Sequence, residues 1–216
     1  MEYLLLKETF TNLLKNYTDE INLINKFWIE IENKYTSNER YYHTLEHLDN
    51  FLEQLLDIKT EFKNWESILF GLYYHDIIYD IAKSDNEQKS AEFAEKRMIK
   101  ISVSGKIIEK CNDLILSTKS HKKSVYLDIN YFTDADLSIL GQSGNRYEQY
   151  CKNVRKEYAI YPDHLYNPGR KKILTYFLSM DRIFKTDFFF HKFEKQARYN
   201  IKNELDNILY YETLKR

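Results

Sequence analysis

Turn-forming residues are scarce in this chain. Five glycines and two prolines are spread over 216 residues, fewer than a strand-rich fold needs for its hairpins. Cysteine is nearly absent, with only Cys111 and Cys151. A disulfide-stapled scaffold is excluded on that count, and both thiols sit in apolar helical patterns expected to bury them in a reducing compartment. No stretch approaches the ~18 uncharged apolar residues of a membrane span. The run Leu4-Leu5-Leu6, between Glu2 and Lys7, is too short for the apolar region of a secretory signal. Excess charge of one sign is missing too: 32 basic and 33 acidic residues give a formal net charge of -1. That balance leaves no electrostatic footprint for wrapping duplex nucleic acid. The expectation is a cytoplasmic protein with neither a membrane nor a duplex as partner.

What the chain does hold is apolar surface at a helical period. Hydrophobic residues make up 43% and aromatics 16%, and apolar side chains recur every three or four positions almost throughout. Helices are expected over 2–17, 20–35, 45–57, 61–79, 84–100, 104–119, 144–160, 170–184 and 187–212. Several carry candidate caps: Asp19, Thr44, and Ser84 with Glu87 at capping-box spacing. Residues 125–135 read as a loop with a short helix beginning near Thr133, and Asn167-Pro168-Gly169 reads as a turn. No linker or internal repeat interrupts the pattern. The expected fold class is all-α, a single compact domain over 1–216 with nine or ten helices, of which 1–35 form an N-terminal extension.

Three places in this pattern hold residues that do not belong on an apolar stripe. His75 follows Ile68 and Leu72 at helical offsets, and Asp76 follows Leu72 by four. Directed inward, a His and a carboxylate need compensation, because an unpaired buried charge is costly. A divalent cation compensates both, as does a simple His–Asp hydrogen bond. His43 and His47 stand at i, i+4 just upstream, a spacing used by metal-binding pairs, although His43 precedes the helix start. Asp134-Ala135-Asp136 follows Tyr131-Phe132, so a carboxylate is carried toward the core. Asp134 reads as a helix N-cap, which leaves Asp136 in a first turn and free to coordinate.

The ordered set of a His, a His-Asp pair and a later Asp, all on helices, resembles the HD-domain superfamily of metal-dependent phosphohydrolases. Arg40-Tyr41-Tyr42-His43-Thr44-Leu45-Glu46-His47 is similar to the R-x-Y-H-T-x-x-H segment of a bacterial group within that superfamily. So are Tyr74-His75-Asp76, Asp85-Asn86-Glu87-Gln88-Lys89-Ser90-Ala91 and Asp134-Ala135-Asp136-Leu137. The resemblance runs from about residue 35 to the C-terminus. It implies an HD-type helical fold and hydrolysis of a small phosphorylated molecule, a nucleotide among the candidates, with His47, His75, Asp76 and Asp136 as metal ligands. His47 is preferred to His43 because the first ligand His of such patterns heads an apolar helix. His121 resembles the additional His of two-metal branches.

Two His and two carboxylates suit Mn²⁺, Mg²⁺, Co²⁺ or Fe²⁺ better than a structural Zn²⁺. The chemistry also needs a base and cations for phosphate. Asp80, one turn beyond Asp76, and Glu87 are the candidate bases, against which stand helix-end solvation and the capping box respectively. Arg40, His43 and Arg155 are the candidate phosphate contacts. The alternative is a helical module that holds a metal or ligand without turnover. A nucleic-acid-binding helical domain is the weakest reading.

Overall fold

The computed structural model describes residues 3–214, with side chains to Tyr210. Among these residues it is all-helical, with ten α-helices and no strand, and no helix is long and apolar enough to cross a membrane. The chain divides into two compact units, the first ending at Thr133 and the second beginning at Asp134.

In the first unit, α1 (Leu4–Lys15) and α2 (Ile21–Tyr35) bury the stripes that their periodicity marks out: Leu6, Phe10, Leu13 and Leu14 on one, Ile24, Phe27, Trp28 and Ile31 on the other. Helix α3 (Leu45–Asp57) buries Leu48, Phe51, Leu52 and Leu55, and with them His47. Thr44 occupies its N-cap position but makes no side-chain cap. Helix α4 (Trp65–Tyr74) is buried along almost its whole length and packs on α5 (Asn86–Lys100), α6 (Gly105–Ser117), α1 and α3. Gly71 on α4 allows this close approach. A Cβ there would lie 3.1 Å from the Phe132 ring and 3.4 Å from Leu114.

Three expectations change in this unit. Helix α4 is shorter than the 61–79 segment. Its N-terminus is set at Asn64, whose side chain accepts from the Ser67 N–H at 2.8 Å, and residues Lys59–Glu61 form a separate 3-10 turn. The expected capping box of Ser84 and Glu87 is also not what opens α5, because the N-cap position falls to Asp85 and no side chain caps it. The segment 125–135 is more ordered than a loop. Asn130 exchanges two hydrogen bonds with the backbone of Ser124, each 2.8 Å. They close the preceding turn, and α7 (Leu127–Asp136) starts immediately after it.

The division between units passes through α7, so its last three residues open the second unit. A 3-10 segment (Leu137–Gly141) follows, then α8 (Gly144–Glu157), α9 (Asp163–Ser179) and α10 (Asp187–Leu214). Gly141 lies against the backbone of α10: a Cβ there would sit 2.8 Å from the Phe193 carbonyl oxygen. The expected turn at Asn167-Pro168-Gly169 does not form, since all three residues lie inside α9. Tertiary anchoring overrides the local signal. Asp163 accepts from Arg155 at 3.0 Å in the first turn of α9. Further along, Arg170 makes a two-pronged bond to Glu204 on α10, at 2.7 and 2.9 Å.

Candidate metal centre

The site is built where α4 stops. In a continuing helix, the Leu72 carbonyl would accept the Asp76 N–H. Here His75 Nδ1 lies 2.9 Å from Leu72 O, and the Asp76 N–H donates instead to the Tyr35 hydroxyl at 3.2 Å. The exchange ends the helix at Tyr74 and leaves His75 at its C-cap. It also fixes the imidazole. A carbonyl oxygen only accepts, so Nδ1 carries the proton and Nε2 of the neutral ring carries the lone pair. This backbone contact on the far nitrogen is the arrangement that orients metal-binding histidines.

The lone-pair nitrogen meets two other polar atoms. His47 Nε2 lies 3.1 Å from His75 Nε2, and Asp76 Oδ2 also lies 3.1 Å from it. His75 is 1% and His47 5% exposed, so water does little to screen them. A ring lone pair and a carboxylate this close repel one another unless positive charge lies between them. Aromatic rings wall the buried side: Phe51 stands 5.3 Å from the His75 ring and Phe132 6.4 Å from it. Asp136, the last residue of the helix that carries Phe132, completes a His47, His75 and Asp136 group. Their ligand atoms all lie within 4.8 Å of one another, a spacing that can hold a metal ion.

Four residues pin the loop after His75. Tyr35 takes the Asp76 amide. Arg40 donates from Nη2 to Ile77 O at 3.1 Å and from Nη1 to His43 O at 3.2 Å. Ser90 Oγ bridges both polar backbone atoms of Ile78, at 3.1 and 3.3 Å. Asn86 accepts from the Asp80 N–H at 3.1 Å and donates to its carbonyl at 2.9 Å. Asn86 and Ser90 stand four apart on α5, which places them on one face. That spacing was the available signal in the sequence for a loop-holding role, and Tyr35 offered no signal at all.

The sequence candidates fall into three places. His47, His75 and Asp136 come together, and Asp76 touches this group through His75 but stands outside the three-residue set. His43 lies beside them, its Nε2 3.9 Å from Asp76 Oδ2 and its side chain 21% exposed, with its ring 4.2 Å from that of Tyr79. Arg40 is 8% exposed and stacks on Tyr35 at 4.7 Å, its donors turned to the two carbonyls just named.

The others serve locally. Asp80 Oδ1 accepts from the Ala82 N–H at 2.9 Å. Glu87 lies 3.6 Å from Lys119. His121 has φ of 50°, donates its N–H to Ser117 O at 3.1 Å where α6 ends, and stands outside the three-residue group. Arg155 lies in the second unit, donating to the carbonyls of Tyr158 and Tyr161, each at 3.0 Å. There it lines a cleft of about 1310 Å³ with Asn203, Asn207 and Tyr199.

No protein-family model, curated protein or solved structure matches the chain.

Asp134 is a correction. It is not an N-cap of its own helix but lies fully buried in the last turn of α7. Its carboxylate accepts the N–H groups of Lys185 and Thr186, at 2.9 and 2.8 Å, and the Thr186 hydroxyl at 2.8 Å. It therefore caps the segment leading into α10. Asp136 accordingly stands in a last turn rather than a first. Cys111 and Cys151 form no disulfide.

Proposed function

We propose that the chain is a metal-dependent phosphohydrolase that acts in the cytoplasm on a small phosphorylated molecule, with nucleotides the first class to examine. The observation that carries this reading is the group of His47, His75 and Asp136, whose ligand atoms all lie within 4.8 Å of one another with both imidazoles buried, and beside which Asp76 Oδ2 lies 3.1 Å from His75 Nε2. Such a set is stable around positive charge, and its donors match a divalent cation such as Mn²⁺, Mg²⁺, Co²⁺ or Fe²⁺. The resemblance of the surrounding motifs to HD hydrolases supports the same reading. His47, His75, Asp76 and Asp136 would hold the cation. A divalent cation bound there supplies Lewis acidity toward a phosphoryl oxygen and toward water.

The chain's own residues divide the remaining work. The Leu72 carbonyl keeps the His75 lone pair turned inward. Phe51 and Phe132 keep water from the buried side. His43, partly exposed and 3.9 Å from Asp76, is the residue we assign to meet a phosphate or a departing oxygen. Asp80 and Glu87 remain the carboxylates available as a base.

A second reading, a metal-holding module without turnover, draws on one observation. Arg40 and Arg155, the guanidinium groups expected to take phosphate, spend donors on backbone carbonyls.

Metal analysis of the purified protein, beside a panel of phosphorylated metabolites with Mn²⁺, Mg²⁺ and Co²⁺, separates the two. Turnover that disappears in Asp76→Ala supports the enzyme. Stoichiometric metal with no turnover on any phosphate ester or anhydride leaves the binding module.

A further inference from the structure

Asp134 is more heavily committed than a loop cap requires. Besides its three hydrogen bonds, Lys185 Nζ lies 3.2 Å from Oδ1, with 3% of the lysine side chain and none of the aspartate exposed. The angle gives the ammonium no directed hydrogen bond, so this contact is an ion pair. Burial alone works against both charges, pushing the Lys185 ammonium below its usual range and the Asp134 carboxyl above it. Such a pair persists because each member is the other's counter-charge and because three N–H and O–H donors satisfy the carboxylate. The Lys185 charge is also felt by Asp136 and by Glu194. Glu194 is occupied by the N–H groups of Ile183 and Phe184, at 3.0 Å each to Oε2, and by Arg198 at 2.7 Å.

We propose that Asp134, clamped by Lys185 and Thr186, is a positioning residue for Asp136. This inference rests on the reading of His47, His75 and Asp136 as metal ligands. Asp134 and Asp136 share the last turn of α7, with Ala135 buried between them. Anchoring Asp134 to the backbone before α10 fixes the direction of that turn, and so the side from which Asp136 presents its oxygens.

The test uses the full chain, with Mn²⁺ affinity by calorimetry and the visible absorption of bound Co²⁺ as readouts, neither of which needs a substrate. Asp134→Asn keeps the shape and removes the charge. Its Mn²⁺ affinity should fall by about 10- to 100-fold, the usual effect of removing a residue that orients a ligand, and the Co²⁺ spectrum should change while helical circular dichroism is retained. Thr186→Val removes a single donor and should weaken binding less, while Thr186→Ser should restore it. That pair carries the test if Asp134→Asn does not fold.

Wild-type Mn²⁺ affinity and an unchanged Co²⁺ spectrum in folded Asp134→Asn, or in Thr186→Val, would overturn the proposal. Asp136→Asn distinguishes the levels. If the wild type binds Mn²⁺ no better than Asp136→Asn, the metal reading falls and the positioning role with it. If Asp136→Asn loses the metal while Asp134→Asn keeps it, only the positioning role falls.

Discussion

Removing the Asp76 carboxylate should abolish metal-linked stability while leaving the metal-free fold close to the wild type. The asymmetry follows from where the residue sits. Its side chain is 19% exposed, so truncation in Asp76→Ala opens no sealed cavity. The backbone bond from the Asp76 N–H to the Tyr35 hydroxyl needs no side chain, and the neighbouring carbonyls of His43 and Ile77 stay with Arg40. The expected cost to the metal-free protein is therefore within about 1 kcal/mol.

On the proposed reading, the metal-loaded protein should behave differently. A cation bound only by the folded state adds about 2.7 kcal/mol at a hundredfold excess over its Kd. For a chain of this length each kcal/mol is worth roughly 2–4 °C in Tm, so saturating Mn²⁺ should raise the wild-type Tm by about 5–10 °C. Differential scanning fluorimetry with Mn²⁺ or with EDTA reads this directly. Asp76→Ala should melt near the wild type in EDTA and gain little from Mn²⁺. No upward shift in the wild type would refute the assignment of this cluster as a metal centre, and a full shift in the variant would remove Asp76 from the ligands.

Other consequences are equally direct. Gly141→Ala drives a methyl group into the backbone of Phe193, which cannot move aside as a side-chain tip would. A loss of at least about 1–3 kcal/mol is expected in chemical denaturation, and an unchanged midpoint would contradict the packing. At Glu204, burial alone would raise the carboxyl, but the bidentate Arg170 contact and the Tyr147 hydroxyl hold it below its ordinary range. A depressed folded value stabilises the protein above the unfolded carboxyl pKa of about 4.3, and that stability drains away as pH falls through the folded value. Glu204→Gln should cost about 3–5 kcal/mol near neutrality by leaving the Arg170 charge uncompensated, and should flatten the loss of stability below about pH 4, as followed by urea titrations across pH. Burial pushes the Cys111 thiol well above its usual range and the Cys151 thiol up to about 12. Neither should react appreciably with iodoacetamide at pH 8 until the chain is unfolded, as mass spectrometry of the alkylated protein would show.

Where helical periodicity rested on apolar burial, the sequence was easy to read. Leu6, Phe10, Leu13 and Leu14, and Ile24 through Ile31, bury on the faces that their spacing marks out. His47, His75 and Asp136 were also legible, because each stands out against an apolar helical context. The errors came where a long-range polar contact outweighed a local signal. Pro168 and Gly169 stop nothing because Asp163 and Arg170 tie α9 to α8 and α10. Asp134 reads locally as a cap, but its partners lie more than fifty residues downstream, a distance that no short-range pattern encodes. The end of α4 was hidden for a similar reason. The apolar period carries on toward Tyr79, and only a hydroxyl from α2 and an imidazole turned onto its own helix end it at Tyr74.

That single bond from the His75 ring to the Leu72 carbonyl has an evolutionary side. The same contact stops a helix and selects the tautomer of a candidate ligand, so neither can drift without the other. A substitution at position 75 that lacks a donor one turn back would return the Leu72 carbonyl to the Asp76 amide, extend α4, and swing Asp76 out of its place. Loss of this histidine would thus carry a conformational penalty of its own, separate from any metal. The histidine is expected to be kept on conformational grounds alone.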